Sequence, residues 1–445
     1  GKIEIEGVVK IASGDLVVYH SINQWGQYLV GIALISIGAA KKILWRSPSA
    51  LWESSTAWLN KKVNFIGMAY VDGKLIGYWG VNQKQIHAVV YPSFKARTAE
   101  TAEHVHIKMH KHRNNPLISP SRINSWESFC TFNPAAIYEG GKVHILYRAQ
   151  GFDYVSVVGY ATSSDGVQID ERFDEPIYVP REPFEWACPA NHNVSSSYQS
   201  GGGYGGIEDP RITRVEDKIY MAYVAFNGID PPRIALTSIK VDDFLDRRWL
   251  WEKPVLISPP GIVDKSPVIF PEKINGKYVI LHRVFPDILI DFVDDLNFDG
   301  NTWLKGEFKI SPRPKMWDSR KIGAGAPPIR TKDGWLLIYY ATCDQEGASR
   351  YLIGAMLLDL EDPTKVLHRS SLPIVRPEEK YENEGFKAGV VYPCGAVVIN
   401  DKLFVYYGGA DSNVCVATAD LDEFLKQLTY SETAVLDPAV IKRIN

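Results

Sequence analysis

The chain has 445 residues, 45% of them hydrophobic and 23% charged, with a formal net charge of −3. That length suits two ordinary domains or one large all-β architecture, and the near-neutral charge lacks the basic excess that a nucleic-acid surface needs. Its five cysteines are odd in number, widely spaced and without a CxxC pair, which argues against a disulfide framework or a structural zinc site and fits a reducing compartment.

No signal peptide opens the chain, because Lys2 to Lys10 is charged and broken. The apolar stretch Tyr28–Ala40 is about 13 residues, too short to span a bilayer. The expectation is a soluble, cytoplasmic protein that engages neither membrane nor nucleic acid. One unit then recurs along the chain: a tight turn of Gly, Asn, Asp or Ser followed by an apolar, Tyr-rich strand. It begins at Ser13, Val71, Gly140, Glu216, Asn275, Lys332 and Asn400, roughly 60–75 residues apart, which suits one blade of a propeller per copy. Turn chemistry followed by period-2 patterning is a hairpin signal.

Residues 1–92 read as a degenerate copy of the two blades after Lys321. Leu16-Val17-Val18-Tyr19-His20 answers Leu336-Leu337-Ile338-Tyr339-Tyr340, and Tyr28-Leu29-Val30-Gly31 answers Tyr351-Leu352-Ile353-Gly354. Lys42 to Ser47 answers Lys365 to Ser370, and Gly73-Lys74-Leu75 through Gly80 answers Asp401-Lys402-Leu403 through Gly408. A two-blade piece leaves sheet edges exposed, so a role in assembly, including a homo-oligomer, is expected of it. Residues 93–113 follow as a polar linker carrying His104, His106, His110 and His112. No carboxylate or cysteine completes a ligand spacing there, so a solvated connector is expected and no metal site.

Cys130 opens the region from 114 to 430 and, with Cys394 and Cys415, reads as a small core residue in an apolar strand. The run Ser195–Gly206 is small and polar and reads as a loop. It delivers the chain to Gly205-Gly206-Ile207-Glu208-Asp209-Pro210-Arg211-Ile212. Two adjacent carboxylates fixed by a proline at the mouth of a strand suit a positioned proton donor, although an ordinary turn has the same composition. Helical periodicity is confined to Leu421–Leu428, and residues 431–445 form a tail. The fold expected is all-β: a five-bladed propeller over 114–430, preceded by the duplicated two-blade segment. A single seven-bladed propeller is the alternative that the repeat count leaves open.

From Asn114 to Leu428 the chain resembles glycoside hydrolase family 130, the β-mannoside phosphorylases and related β-mannosidases. The resemblance rests on Phe132-Asn133-Pro134-Ala135-Ala136, Leu146-Tyr147-Arg148-Ala149 and the Gly206–Ile212 motif. It continues through FPEKINGKY from Phe270, KIGAGAPPI from Lys321, GWLLIYY from Gly334, LLDLEDPTKVLHRS from Leu357, VVYPCGAVV from Val390 and YYGGAD from Tyr406. What it implies is a five-bladed propeller with a site at its mouth, a β-mannoside oligosaccharide as substrate and inorganic phosphate as co-substrate, without a cofactor. The implied reaction inverts configuration and gives α-mannose 1-phosphate.

The resemblance carries the acid onto Asp209, acting through a sugar hydroxyl. Glu208, beside it, is expected on the other side of the strand as a structural or sugar contact. A phosphorylase needs a cationic cradle in place of a base. The candidates are Arg148, Lys321 and His282, with Lys265, Arg283 and Tyr339 behind them. Asn133, Arg211, Tyr340 and Asp411 join Glu208 as candidate sugar contacts. Many family members carry His where Tyr340 stands, and the segment Ala187–Gly206 is longer than a minimal loop, so the acceptor sugar is not inherited. An inverting hydrolase on this fold would need a second carboxylate about 6.5–9.5 Å from the acid, for which Glu272 is the candidate. A non-catalytic carbohydrate-binding or assembly propeller is the third reading.

Overall fold

The computed structural model describes residues 107 and 109–429, except 188–193, 200–202, 315 and 344–349, together with strands between residues 3 and 91. It divides into two compact units, Gly1–His106 with Tyr430–Asn445, and Ile107–Thr429. Most of the expected connector (92–106 and 108), part of the long loop and the tail lie outside the described residues.

The larger unit is a run of five antiparallel meanders, the first two joined into one sheet by a short parallel pairing of Val155 and Ser156 with Gly205 and Gly206. The first comprises Cys130–Glu139, Lys142–Gln150 and Val155–Ser163, with Glu171–Arg172 at its edge. Gly205–Val215, Lys218–Phe226, Arg233–Lys240 and Val255–Leu256 make the second. The third is Lys265–Ile269, Tyr278–Val284, Asp287–Val293 and Phe308–Ile310. In the fourth, Lys321–Ala324, Trp335–Thr342, Leu352–Leu358 and Val366–Arg369 follow one another. Val391–Ile399, Lys402–Gly409 and Asn413–Asp420 form the fifth, whose outer strand is His110–Lys111 from the far end of the unit. That last pairing corrects the expected linker boundary: Met109 is buried, and His110 and Lys111 belong to a sheet rather than to a connector.

Five apolar clusters hold the meanders together, one between each successive pair and one between the fifth and the first. Each fully buried Val, Leu or Ile in them contributes about 1.5–3 kcal/mol. The single helix of more than five residues among the described ones is Leu421–Thr429, where the periodicity expected it; Phe424, Leu425 and Leu428 pack it onto the cluster between the fourth and fifth meanders.

A polar regularity runs beneath the apolar one. In each meander the second strand carries a buried Tyr or His whose polar tip meets a buried carboxylate on the segment leading into the first strand. The pairs are Tyr147–Glu127 at 2.7 Å, Tyr223–Glu185 at 2.5 Å, His282–Asp264 at 2.7 Å, Tyr339–Asp318 at 2.9 Å and Tyr407–Glu382 at 2.8 Å. Opposite Tyr147, Tyr223 and His282 the first strand bulges, at Asn133-Pro134, Asp209-Pro210 and Ser266-Pro267. Proline has no N–H to give the ladder, so two residues face one and the strand re-aims its side chains. Asn133, Asp209 and Ser266 all take left-handed φ values, 48°, 49° and 57°, a conformation that costs a non-glycine residue about 1–3 kcal/mol and persists only where its surroundings enforce it.

The N-terminal unit contains one sheet of Ile3–Ile11, Gly14–Ile22, Tyr28–Ile35 and Ile43–Arg46, and one of Val63–Val71, Lys74–Val81 and Gln85–Tyr91. Ile3 pairs with Ser21 and Glu4 with His20, as Ile322 pairs with Ala341 and Gly323 with Tyr340. The bulge between Phe65 and Gly67 faces Trp79 and Tyr78, as that between Pro393 and Gly395 faces Tyr407 and Tyr406. No helix of the described residues is long and apolar enough to cross a membrane.

Candidate active site

Where the first strands begin and the second strands end, all five meanders contribute to one cavity of about 580 Å³. Eight of the residues expected at a site line it: Asn133, Arg148, Asp209, Lys265, Arg283, Lys321, Tyr340 and Asp411.

The bulge at Asp209-Pro210 corrects the expectation that Glu208 faces away. With the strand re-aimed, both carboxylates meet one guanidinium: Arg148 donates from Nη1 to Asp209 Oδ1 and from Nη2 to Glu208 Oε1, each at 3.1 Å. Asn133 donates to the same Asp209 oxygen at 2.7 Å, and Lys265 donates to Glu208 Oε2 at 3.0 Å. Glu208 is fully buried behind the cavity, so its place is structural. Burial pushes Asp209 up, but Arg148, Arg211 and the Asn133 hydrogen bond outweigh it and leave the carboxyl below its ordinary value. Arg148 is therefore committed to the carboxylate pair rather than free for an anion.

Arg211 is fully buried beneath the bulge. It donates to the carbonyl oxygens of Asp209 and Gly325, each at 2.9 Å, and to the Tyr392 hydroxyl at 3.2 Å. It ties the second meander to the fourth and fifth and holds Asp209 from behind, away from the expected sugar contact.

Positive charge gathers on another side of the cavity. Arg283, Lys321 and Lys387 face it, and no carboxylate among the described residues lies within ion-pair distance of any of them. Lys321 donates to the Tyr351 hydroxyl at 2.6 Å, and Lys387 lies over the same ring. Desolvation, then the charges of Arg283, Lys387 and Lys265, bring Lys321 down to about 7. Asp411, also in the cavity, is raised to about 6, by burial first and by Asp209 and Glu208 against the opposing pull of Lys387 and Arg148. Tyr340, Tyr351 and Tyr392 form an aromatic floor with centroids 4.5–5.8 Å apart. Ser266 links the Tyr340 hydroxyl at 2.7 Å to that of Tyr392 at 3.2 Å.

Three expected residues lie elsewhere. His282 and Tyr339 precede Arg283 and Tyr340 in their strands, and alternation turns them to the opposite face. His282 is held there between Asp264 and Asp291 at 2.7 and 2.8 Å, and burial notwithstanding, these two carboxylates raise it to about 9. Tyr339 stacks on Trp317 and donates to Asp318. Neither lines the cavity. Glu272 is 53% exposed, 3.7 Å from Arg330, and is not part of the cavity wall either. The carboxylate that does share the cavity with Asp209 is Asp411.

The sequence reading missed Lys387, Tyr351 and Tyr392, together with Ser196–Gln199 from the long loop. Tyr392 stands in VVYPCGAVV, where Tyr-Pro repeats the Asn-Pro, Asp-Pro and Ser-Pro steps of other first strands, and that recurrence could have found it. Nothing local marks Lys387. The cysteines Cys130, Cys343, Cys394 and Cys415 are buried and free, and Cys188 lies outside the described residues.

A cavity in which a carboxylate held by an arginine and an asparagine faces cations that have no carboxylate partner among the described residues can bind an anion beside that carboxylate. Comparison with known proteins bears on which reaction this serves. The family model for glycoside hydrolase family 130, described as β-1,4-mannooligosaccharide phosphorylase, matches residues 108–430. The 1,2-β-oligomannan phosphorylase of Thermoanaerobacter sp. (strain X514) is 39% identical over 327 residues, covering 71% of this chain and 99% of that one. A β-1,2-mannobiose phosphorylase of the same organism is 38% identical, covering 70% and 96%. Among solved structures, the β-1,2-mannobiose phosphorylase from Listeria innocua in complex with β-1,2-mannobiose superposes with a TM-score of 0.56 at 28% identity, over 72% of this chain and 99% of its own.

Proposed function

The chain belongs to glycoside hydrolase family 130, and we propose that it is a phosphorylase that breaks a β-1,2-mannosidic bond with inorganic phosphate. The activity in its general form, a β-mannoside phosphorylase, follows from relatives at 34–39% identity that nearly all of this region matches. The β-1,2 linkage is supported by the names of those relatives.

One observation carries the reading: Arg283, Lys321 and Lys387 share a cavity with Asp209 and have no carboxylate partner among the described residues. Buried positive charge without a counter-charge is costly, and an anionic nucleophile supplies that charge. A phosphate oxygen attacks the anomeric carbon from the cation side while the glycosidic C1–O bond breaks on the opposite face. The configuration inverts and the product is α-mannose 1-phosphate. The departing oxygen receives a proton from Asp209, relayed through a hydroxyl of the mannosyl unit.

In the free enzyme Asp209 is held below its ordinary value by Arg148 and Arg211 against the effect of burial. Negative charge brought in by phosphate offsets that positive field, so Asp209 takes up its proton as the co-substrate binds. Asn133 and Asp411 hold the mannosyl hydroxyls, and the tyrosine floor carries the sugar ring. No cofactor enters the scheme. Packing of each meander on the next, and of the fifth on the first, supports reading them as the blades of a five-bladed propeller. The matched strand registers support reading the N-terminal sheets as a degenerate copy of its last two blades.

Product analysis on β-mannosides with and without phosphate tests this. Mannose 1-phosphate formed only with phosphate, and a kcat lowered about 10²–10⁴-fold in Asp209→Asn, is the expected result. Free mannose released at a phosphate-independent rate would overturn it and turn attention to Asp411 as a base.

A further inference from the structure

The N-terminal unit leaves apolar side chains bare at positions where the larger unit packs its meanders on one another. Ile5 pairs with Tyr19 as Ala324 pairs with Tyr339, and Ile86 pairs with Gly80 as Val414 pairs with Gly408. Ala324 and Val414 are fully buried, the first in the cluster between the third and fourth meanders, the second in that between the fifth and first. Ile5, by contrast, is 66% exposed and Ile86 61%. Ile66, the extra residue of its bulge, is exposed as well, whereas its counterpart Cys394 is fully buried. Val8 and Val71 are bare in the same strands as Ile5 and Ile66. Single surface aliphatics need no explanation, but these recur at the register positions of an apolar interface. The carboxylates of the first strand are engaged inside the unit, where Glu4 and Glu6 both lie against His20.

Each bare side calls for a particular cover. The position of Ile5 is the one that meets a preceding meander in the larger unit, and the position of Ile86 is the one that meets a following meander. The larger unit can supply neither, because all five of its meanders are already packed on both sides. Two sheets cannot close on themselves, and closed propellers have four blades or more. A second copy of the unit brings the number to four. It offers its Ile86 side to the Ile5 side of the first copy and receives the reverse, repeating the contact by which each meander of the larger unit packs on the next. Two-fold pairing is also the commonest closed assembly.

We propose that the N-terminal unit is a dimerisation surface whose partner is a second copy of itself: two copies close a four-bladed ring in which the Ile86 side of each covers the Ile5 side of the other. This rests on reading the N-terminal sheets as blades and not on the phosphorylase reaction, whose cavity lies wholly in the larger unit.

The test is sedimentation velocity on the whole chain. The unaltered protein should sediment with twice the mass of the chain at micromolar concentration. Ile5→Lys and Ile86→Glu, both at exposed positions outside the cavity, should each raise the dissociation constant at least about a hundredfold, because each puts an unpaired charge into both contacts of the ring. Circular dichroism and turnover should stay unchanged in both. Mixed together, the two variants should associate again, since one contact of the mixed pair sets Lys against Glu and the other is unaltered. A single-chain mass for the unaltered protein, association that survives both substitutions, or a mixture that stays apart would each overturn the proposal. A mass of three chains would overturn it too, in favour of a six-bladed ring. The two readings fail separately: association without mannose 1-phosphate would sink the reaction and leave the ring standing.

Discussion

Tyr339 and Tyr340 are adjacent in sequence, yet the cavity meets one of them and a buried carboxylate the other. Tyr339→Phe should cost about 1 kcal/mol through the lost bond to Asp318, read as a lowered melting temperature, with the KM for phosphate unchanged. An increase in that KM would return Tyr339 to the cradle. Lys321 is expected to show the reverse. Desolvation first, and then its cationic neighbours, bring it down to about 7, so it loses its charge as the pH rises through that value. Phosphate binding should weaken above about pH 7, and Lys321→Arg, which keeps its charge, should remove that limb of the pH profile. Phosphate's own ionisation is common to both proteins and cancels in the comparison. A profile unchanged in Lys321→Arg would exclude the lysine as the titrating group.

At the scale of the element, the unit that matters is a second strand whose Tyr or His reaches a buried carboxylate, facing a first strand that bulges. His282 is the third meander's version, and Asp264 and Asp291 raise it to about 9 against the effect of burial. A histidine raised in the folded state stabilises fully below its unfolded value, near 6.5, and progressively less as the pH climbs through about 9. His282→Ala should therefore destabilise by about 3 kcal/mol at pH 6 and by less at pH 9.5, measured by urea unfolding at each pH. A penalty that stays constant would refute the protonated pair. Gly408 stands where other second strands present Arg148 or Tyr340, and a Cβ there would overlap Asn133. Gly408→Ala should displace Asn133 from Asp209 and lower kcat more than it lowers stability. These elements also show how much was legible. The seven turn-and-strand copies each form the second strand of a meander, because period-2 patterning and turn residues are local signals. Alternation within GWLLIYY or YVILHRV does not say which face meets the cavity, so both members of His282-Arg283 and of Tyr339-Tyr340 are candidates on sequence alone. A bulge reverses the facing locally, which is why Glu208 was expected on the wrong side. Lys387 is brought to the site by a loop with no periodicity at all.

For the molecule as a whole, the described cavity residues all come from Ile107–Thr429. A protein reduced to residues 107–429 should keep phosphorolysis within a few-fold of the full chain. One cut at 114, the boundary suggested by composition, should be less stable, since it removes Met109 from its apolar cluster and Lys111 from Glu382, 2.6 Å away. Comparing thermal unfolding of the two truncations decides between those boundaries. The strand His110–Lys111 has a further consequence. Its partners, Ala417 and Thr418, are the last strand's residues, so a ribosome has to finish nearly the whole unit before the first segment finds its place. Until then the fifth meander lacks its edge, and Lys387 and Asp411 have not met Lys321 and Asp209. Phosphate binding is thus a property that no chain ending before the fifth meander can display, and it serves as a reporter that this unit has been completed. Long-range closure of this kind is slow, and its rate should limit how soon after release the enzyme becomes active.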